Sequence, residues 1–192
     1  MTRRTVEDLV AACDRTVPDL LGPQLMVLFC GINPGRYSGA TGYHFAGPGN
    51  RFWKVLHQAG FTDRELRPDE SRELSDLGIG ITNLVKRTTA SASELSRSDY
   101  AGGADRLRQV VAEHHPVVVA VLGIGAYRHA FDPKAMFGRQ PGKPTGAVTF
   151  VLPNPSGLQA RYQLEDLVAM FGEVLAALPG ERRRSGGSDL RA

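Results

Sequence analysis

Three segments of this chain carry residues whose types and spacing suit work on a flat, polar ligand. Gly31-Ile32-Asn33-Pro34-Gly35 and Pro153-Asn154-Pro155-Ser156-Gly157-Leu158 each set an asparagine immediately before a proline. Turn formation explains either one alone, because Asn-Pro and Pro-Gly are common chain punctuation. Two such loops, each following an apolar run, also describe a pair of amides brought to one end of a sheet. Directly after the first loop, the segment from Arg36 to Trp53 mixes glycines, small polar residues and aromatics. A loop of that length in a compact domain is commonly functional. Tyr43, His44 and Phe45 offer a stacking face for a heterocycle; alternatively, Phe45 and Trp53 anchor the loop to the core.

Other chemistries fail on spacing. No GxxxxGK[ST] phosphate loop is present, and Gly123-Ile124-Gly125-Ala126-Tyr127-Arg128 has arginine where a dinucleotide fingerprint needs its third glycine. No serine sits in a GxSxG elbow, and Ser156 does not fit one. The histidines show no HExxH spacing, and Cys13 and Cys30 cannot alone build a four-thiolate zinc site or an iron–sulfur cluster. No cofactor or metal is expected. Of the five histidines, His57, His114, His115 and His129 read as structural or solvated, while His44 lies within the glycine-rich loop.

The elements that would position these loops follow from apolar patterning. Leu25 to Cys30, Pro116 to Leu122 and Ala147 to Leu152 are continuous apolar runs too short for helices, as in buried parallel strands. Ile79 to Leu84 is a weaker fourth strand, loosened by its glycine. Helical spacing is found within 5–20, with Thr5 and Asp8 as a capping pair, and across 51–59, 69–77, 99–114, 125–131 and 164–178. Strands alternating with helices predict a three-layer α/β/α domain around a short, mainly parallel sheet. The chain is expected to form one domain over residues 1–179, followed by a disordered basic tail over 180–192.

Composition agrees with one globular domain. The 192 residues are 42% hydrophobic and 22% charged, with a net charge of +3. Nineteen of the 23 basic residues are arginine, whose planar fork matches phosphate oxygens, so nucleic acid is a permitted partner. Genomic base composition raises arginine content as well. No apolar run reaches the roughly 20 residues of a membrane helix, and acidic residues stand where a signal peptide needs an apolar stretch. A cytoplasmic, non-membrane protein is expected.

Taken together, Gly31-Ile32-Asn33-Pro34-Gly35, Asn50-Arg51-Phe52-Trp53-Lys54 and Asn154-Pro155-Ser156-Gly157-Leu158 resemble the mismatch-specific uracil/thymine DNA glycosylases. These form a branch of the uracil-DNA glycosylase superfamily. The similarity runs from about Leu25 to Leu178 and includes Gln58-Ala59-Gly60-Phe61-Thr62-Asp63-Arg64. The resemblance implies a three-layer fold and a monofunctional enzyme acting as a monomer on double-stranded DNA with G·U or related mismatches.

It also assigns roles. Asn33 matches the asparagine that holds the attacking water beneath the sugar. Phe45 matches the aromatic stacked on the flipped base, Ile32 supplies backbone contacts to it, and Ser38 lies in the enclosing loop. Asn154 matches the polar residue of the second motif, and Gly157 and Leu158 the wedge that enters the duplex. Arg161 and Arg36 are candidates for phosphate contact or solvated surface charges. The chain departs from the pattern at Lys86 and Thr88, at Gln159-Ala160-Arg161 and at Tyr43-His44, which makes His44 and Asn83 candidates for adjusting the pocket. Two other readings compete: a non-catalytic module that binds damaged or mismatched DNA, and a hydrolase of free nucleosides, which would not need the wedge.

Overall fold

The computed structural model describes residues 5–157 and 161–179. Four parallel strands form its centre: β1 (Val27–Gly31), β2 (Ile79–Asn83), β3 (Val118–Leu122) and β5 (Val148–Leu152). A two-residue antiparallel strand, β4 (Gly138–Arg139), closes one edge, giving the order β2-β1-β3-β5-β4. The four longer strands are those expected from the apolar runs. β4 was not expected, since two residues leave no periodic trace.

Alternation along the strands builds two cores. Val27, Phe29, Ala120, Leu122, Phe150 and Leu152 face α3 (Phe52–Gln58) and α7 (Leu164–Ala176), with Phe29 stacked on Phe171 at 5.4 Å. Leu28, Cys30, Val119, Val121 and Val151 face α5 (Arg97–His114) and α6 (Ile124–Ala130). Successive strand residues point to opposite faces, so a sheet apolar on both must be covered on both. The three-layer α/β/α arrangement is the one the sequence predicts.

Two departures matter for the site. Helical spacing suggested an element within residues 5–20, but α1 covers only Val6–Val10, with the Thr5–Asp8 capping box present. Asp14 adopts φ 61°, and the chain then runs extended past Pro18 and bridges Leu20 to Ile81, covering the outer edge of β2. The segment from Arg36, read as a loop, opens with α2 (Arg36–Thr41) and ends in Gly42 at φ 76°. Its glycine at position 39 hid it from pattern reading, because helices of this kind carry no apolar stripe. A side chain at Gly39 would collide with Thr88, so the glycine lets α2 lie against that residue. The remaining helix, α4 (Glu73–Asp76), follows a 3-10 turn at Pro68–Glu70.

Candidate active site

The carboxyl ends of β1, β2 and β5 open onto one cleft of about 800 Å³. Ile32, Asn33, Arg36, Ser38, Phe45, Asn83, Asn154 and Gly157 all line it. Residues up to 125 positions apart in sequence, Ile32 and Gly157, are therefore gathered at one cleft. Ile32 and Asn154 also border a smaller neighbouring cleft of about 300 Å³, shared with Tyr100, His129 and Tyr162.

Asn33 is held by its amide nitrogen. Nδ2 donates to the carbonyls of Arg87 (3.1 Å) and Pro34 (3.2 Å) and to Thr89 Oγ1 (2.7 Å). Thr89 Oγ1 donates its own proton to the Ser91 carbonyl, so it accepts from Asn33. Three acceptors around Nδ2 fix which end of the amide is which. Asn33 Oδ1 makes no hydrogen bond to another described residue and is left as the acceptor at the cleft.

Asn154 is oriented the opposite way. Its Oδ1 accepts the Ser156 backbone N–H at 3.2 Å, an Asx turn that leaves the NH2 group as the outward donor. Two asparagines thus present complementary ends: an acceptor from the β1 loop and a donor from the β5 loop.

Phe45 adopts φ 53°, a left-handed conformation uncommon for a residue with a side chain. The strain turns its ring onto buried Phe52, with centroids 4.1 Å apart and planes 23° from parallel. The ring both packs on the core and lines the cleft, so the two sequence readings of Phe45 are compatible. Ser38 Oγ accepts from the Ala46 N–H at 3.3 Å, tying α2 to the residue after Phe45. Gly31 lies against two of the lining residues, where a side chain would overlap Asn83 Oδ1 and come within 3.3 Å of the Phe45 ring.

His44 does not line the cleft. It is buried behind Asn83, with Nδ1 3.2 Å from Asn83 Nδ2 and Nε2 2.9 Å from the Pro18 carbonyl. Burial lowers its pKa, partly offset by the Pro18 hydrogen bond. Cys30 is inert: burial pushes its thiol up to about 12. Lys86 and Thr88 also stand away from the cleft, Lys86 3.5 Å from Asp19 and Thr88 buried against α2. Arg36 borders the cleft, whereas Arg161 lies outside it with its guanidinium over Tyr162 at 5.8 Å. Leu158 lies outside the described residues, as does the 180–192 tail.

Sequence reasoning missed three supports. Arg51 N–H donates to the Pro155 carbonyl at 2.9 Å, and its guanidinium donates to the carbonyls of Tyr162 (2.7 Å) and Ser156 (3.4 Å). Arg51 thereby braces the β5 loop from the start of α3. Gly157 passes so close to Gly49 that a side chain on it would strike the Gly49 carbonyl. Thr89, which fixes Asn33, was a third omission.

The family model of the uracil DNA glycosylase superfamily matches residues 18–178. This chain belongs to that superfamily. A solved structure with the same fold is the solution NMR structure of a candidate uracil DNA glycosylase from Methanosarcina acetivorans, with a TM-score of 0.57 and 20% identity. The match covers 84% of this chain and 98% of that one. Membership of the superfamily agrees with a cleft at strand ends that Asn33, Asn83 and Asn154 line. Among the described residues, no three His, Cys, Asp or Glu side chains gather as a metal ion would require. No described helix is long and apolar enough to cross a membrane.

Proposed function

We propose that this superfamily member is a monofunctional DNA glycosylase of the mismatch-specific branch, releasing uracil from double-stranded DNA, chiefly opposite guanine. The observation that carries the reading is the opposed pair of amides at one cleft, Asn33 Oδ1 as acceptor and Asn154 NH2 as donor. A base inside a duplex cannot be reached there, so the nucleotide must swing out and enter the cleft. Phe45, backed by Phe52, supplies the surface on which the extruded ring stacks. The loop that ends at Gly157 and continues into Leu158 is suited to fill the vacated space.

The reaction is a hydrolysis. Water oxygen bonds to the sugar C1′, the C1′–N bond breaks, and its electron pair leaves with the base. The water's surplus proton passes to solvent, and the departing anion is neutralised in turn. Asn33 Oδ1 accepts a hydrogen bond from the water and orients it, but an amide does not take up its proton near neutral pH. The enzyme therefore forgoes much of the roughly 10²–10⁴-fold that a general base contributes. It is expected to be slow and to depend on a good leaving group.

Single-turnover cleavage of labelled duplexes bearing one G·U, A·U, G·T or G·C pair tests this, with hot alkali revealing abasic sites. Strand breakage at G·U faster than at A·U is expected. Retained binding with no cleavage anywhere would replace the proposal with a damage-binding module, and release of uracil from free deoxyuridine would favour a nucleoside hydrolase. A second expectation concerns Gly31: Gly31→Ala must displace Asn83, and crowds Phe45, both of which line the cleft. Uracil release should fall about ten- to hundredfold, the scale of an ångström-level misplacement, with thermal unfolding and duplex affinity little changed.

A further inference from the structure

The chain on either side of Leu158 forms two legs, and one residue of another element holds both. We propose that Arg51 is a positioning residue that clasps these legs, and that extrusion of the nucleotide from duplex DNA depends on the clasp. The inference rests on the glycosylase reading and identifies what supports the wedge of that reading under load.

Three donors on Arg51 make the clasp. Its backbone N–H donates to the Pro155 carbonyl at 2.9 Å and its Nη2 to the Ser156 carbonyl at 3.4 Å, both on the leg leaving β5. Its Nη1 donates to the Tyr162 carbonyl at 2.7 Å, on the returning leg. Each leg is also anchored beyond the clasp. The first is set by the Asx turn at Asn154 and presses on Gly49, where Gly157 admits no side chain. The second leads into α7, where Asp166 Oδ2 accepts the Gln163 N–H at 2.8 Å. The Tyr162 ring meets Phe137 edge-on at 5.4 Å.

The clasp is mounted on the first turn of α3. Arg51 is the N-cap of that helix, and its carbonyl accepts the Val55 N–H at 2.8 Å. Asn50 Oδ1 accepts the Phe52 N–H at 2.9 Å, and Phe52 is buried beneath the Phe45 ring. Adjacent residues therefore tie the two legs and the stacking surface to one turn. Unstacking a duplex is costly, and an apolar side chain inserted between bases carries that cost only if its loop does not bend away. A guanidinium suits the task because its planar fork directs several N–H groups at once. Lysine offers a single ammonium on a flexible stem and does not reproduce that geometry.

Arg51→Lys tests the clasp, since it keeps the charge and the backbone N–H but loses the fork. In single turnover on G·U duplex it should slow uracil release about tenfold, the kinetic equivalent of one hydrogen bond. The fluorescence of 2-aminopurine placed beside the uracil, which rises on unstacking, should show the same loss in the opening step with saturating enzyme. In a Leu158→Ala background, Arg51→Lys should cost less than about twofold, because no wedge is left to support. In the wild-type protein, nitrogen-detected NMR should find rotation about the Arg51 Cζ–Nη bonds hindered, both free and with duplex bound.

Wild-type rates in Arg51→Lys would assign the residue to charge alone and overturn the inference. So would an equal loss with and without Leu158, or a freely rotating guanidinium in the DNA complex; the last needs no variant to fold. Wild-type protein that unstacks the duplex but releases no uracil would overturn the glycosylase reading, and the unstacking comparison would then decide the clasp by itself.

Discussion

Replacing Asn33 with alanine is expected to slow single-turnover uracil release about 10²–10³-fold, with duplex affinity unchanged. In the proposed mechanism the loss arises because Asn33 Oδ1 places the water, while Nδ2 holds the side chain against Arg87, Pro34 and Thr89. Two controls separate the functions of the two ends. Thr89→Val removes the shortest tie to Nδ2 but leaves two carbonyls in place, so it should cost far less than Asn33→Ala. Equal losses would mean that the 87–89 loop, and not the water, was disturbed. Wild-type rates in Asn33→Ala would sink the mechanism outright.

Asn33→Asp sharpens the point. A carboxylate would be a true base, yet one of its oxygens would face two backbone carbonyls that now accept from Nδ2. Carbonyl dipoles disfavour the anion, so the carboxyl pKa should rise above its ordinary value of about 3.9. A folded-state pKa above the unfolded one gives stability that is present below the unfolded pKa and lost as pH rises through the folded one. The thermal stability of Asn33→Asp, relative to wild type, should therefore fall as pH climbs from about 4. A gain in rate without that loss would show that the site tolerates a base.

The residues that touch substrate in this reading were legible in the sequence; the residues that hold them were not. Asn33, Phe45, Asn154 and Gly157 sit in short motifs where residue type and neighbouring glycines carry the signal. Their supports are long-range and mostly backbone carbonyls, which leave no signature of type. The Asn33 ties to Arg87 and Thr89 span 54 and 56 residues, the His44–Asn83 contact 39, and the Arg51–Tyr162 brace 111. Phe45 was read as either stacking surface or anchor because a sequence does not show that one ring face can be backed by Phe52 while the ring still borders a cleft. The strands were legible for the converse reason: burial on both faces makes each an uninterrupted apolar run. α2 was invisible because Gly35, Gly39 and Gly42 mark a close approach and two helix ends, which in sequence look like a loop.

Asn154→Asp should slow uracil release by about 10²–10³-fold, the range found when a single donor to a developing anion is removed. This substitution is more informative than alanine. Asn154 Oδ1 accepts the Ser156 N–H and shapes the loop that leads to Gly157. Alanine would remove both the turn and the donor, whereas aspartate keeps an acceptor for Ser156 and exchanges only the NH2 for an anionic oxygen. The effect should track how much negative charge the leaving base must carry. A base whose anion is intrinsically more stable, such as 5-fluorouracil, needs less from the donor, so its release should be slowed less than that of uracil. Rates measured with saturating enzyme in single turnover remove any repulsion between the new carboxylate and DNA phosphates from the comparison. An equal slowing of both bases would assign Asn154 to the shape of the loop, since a misplaced wedge penalises every base alike, whereas only a donor aimed at the leaving group distinguishes bases by the charge they bear.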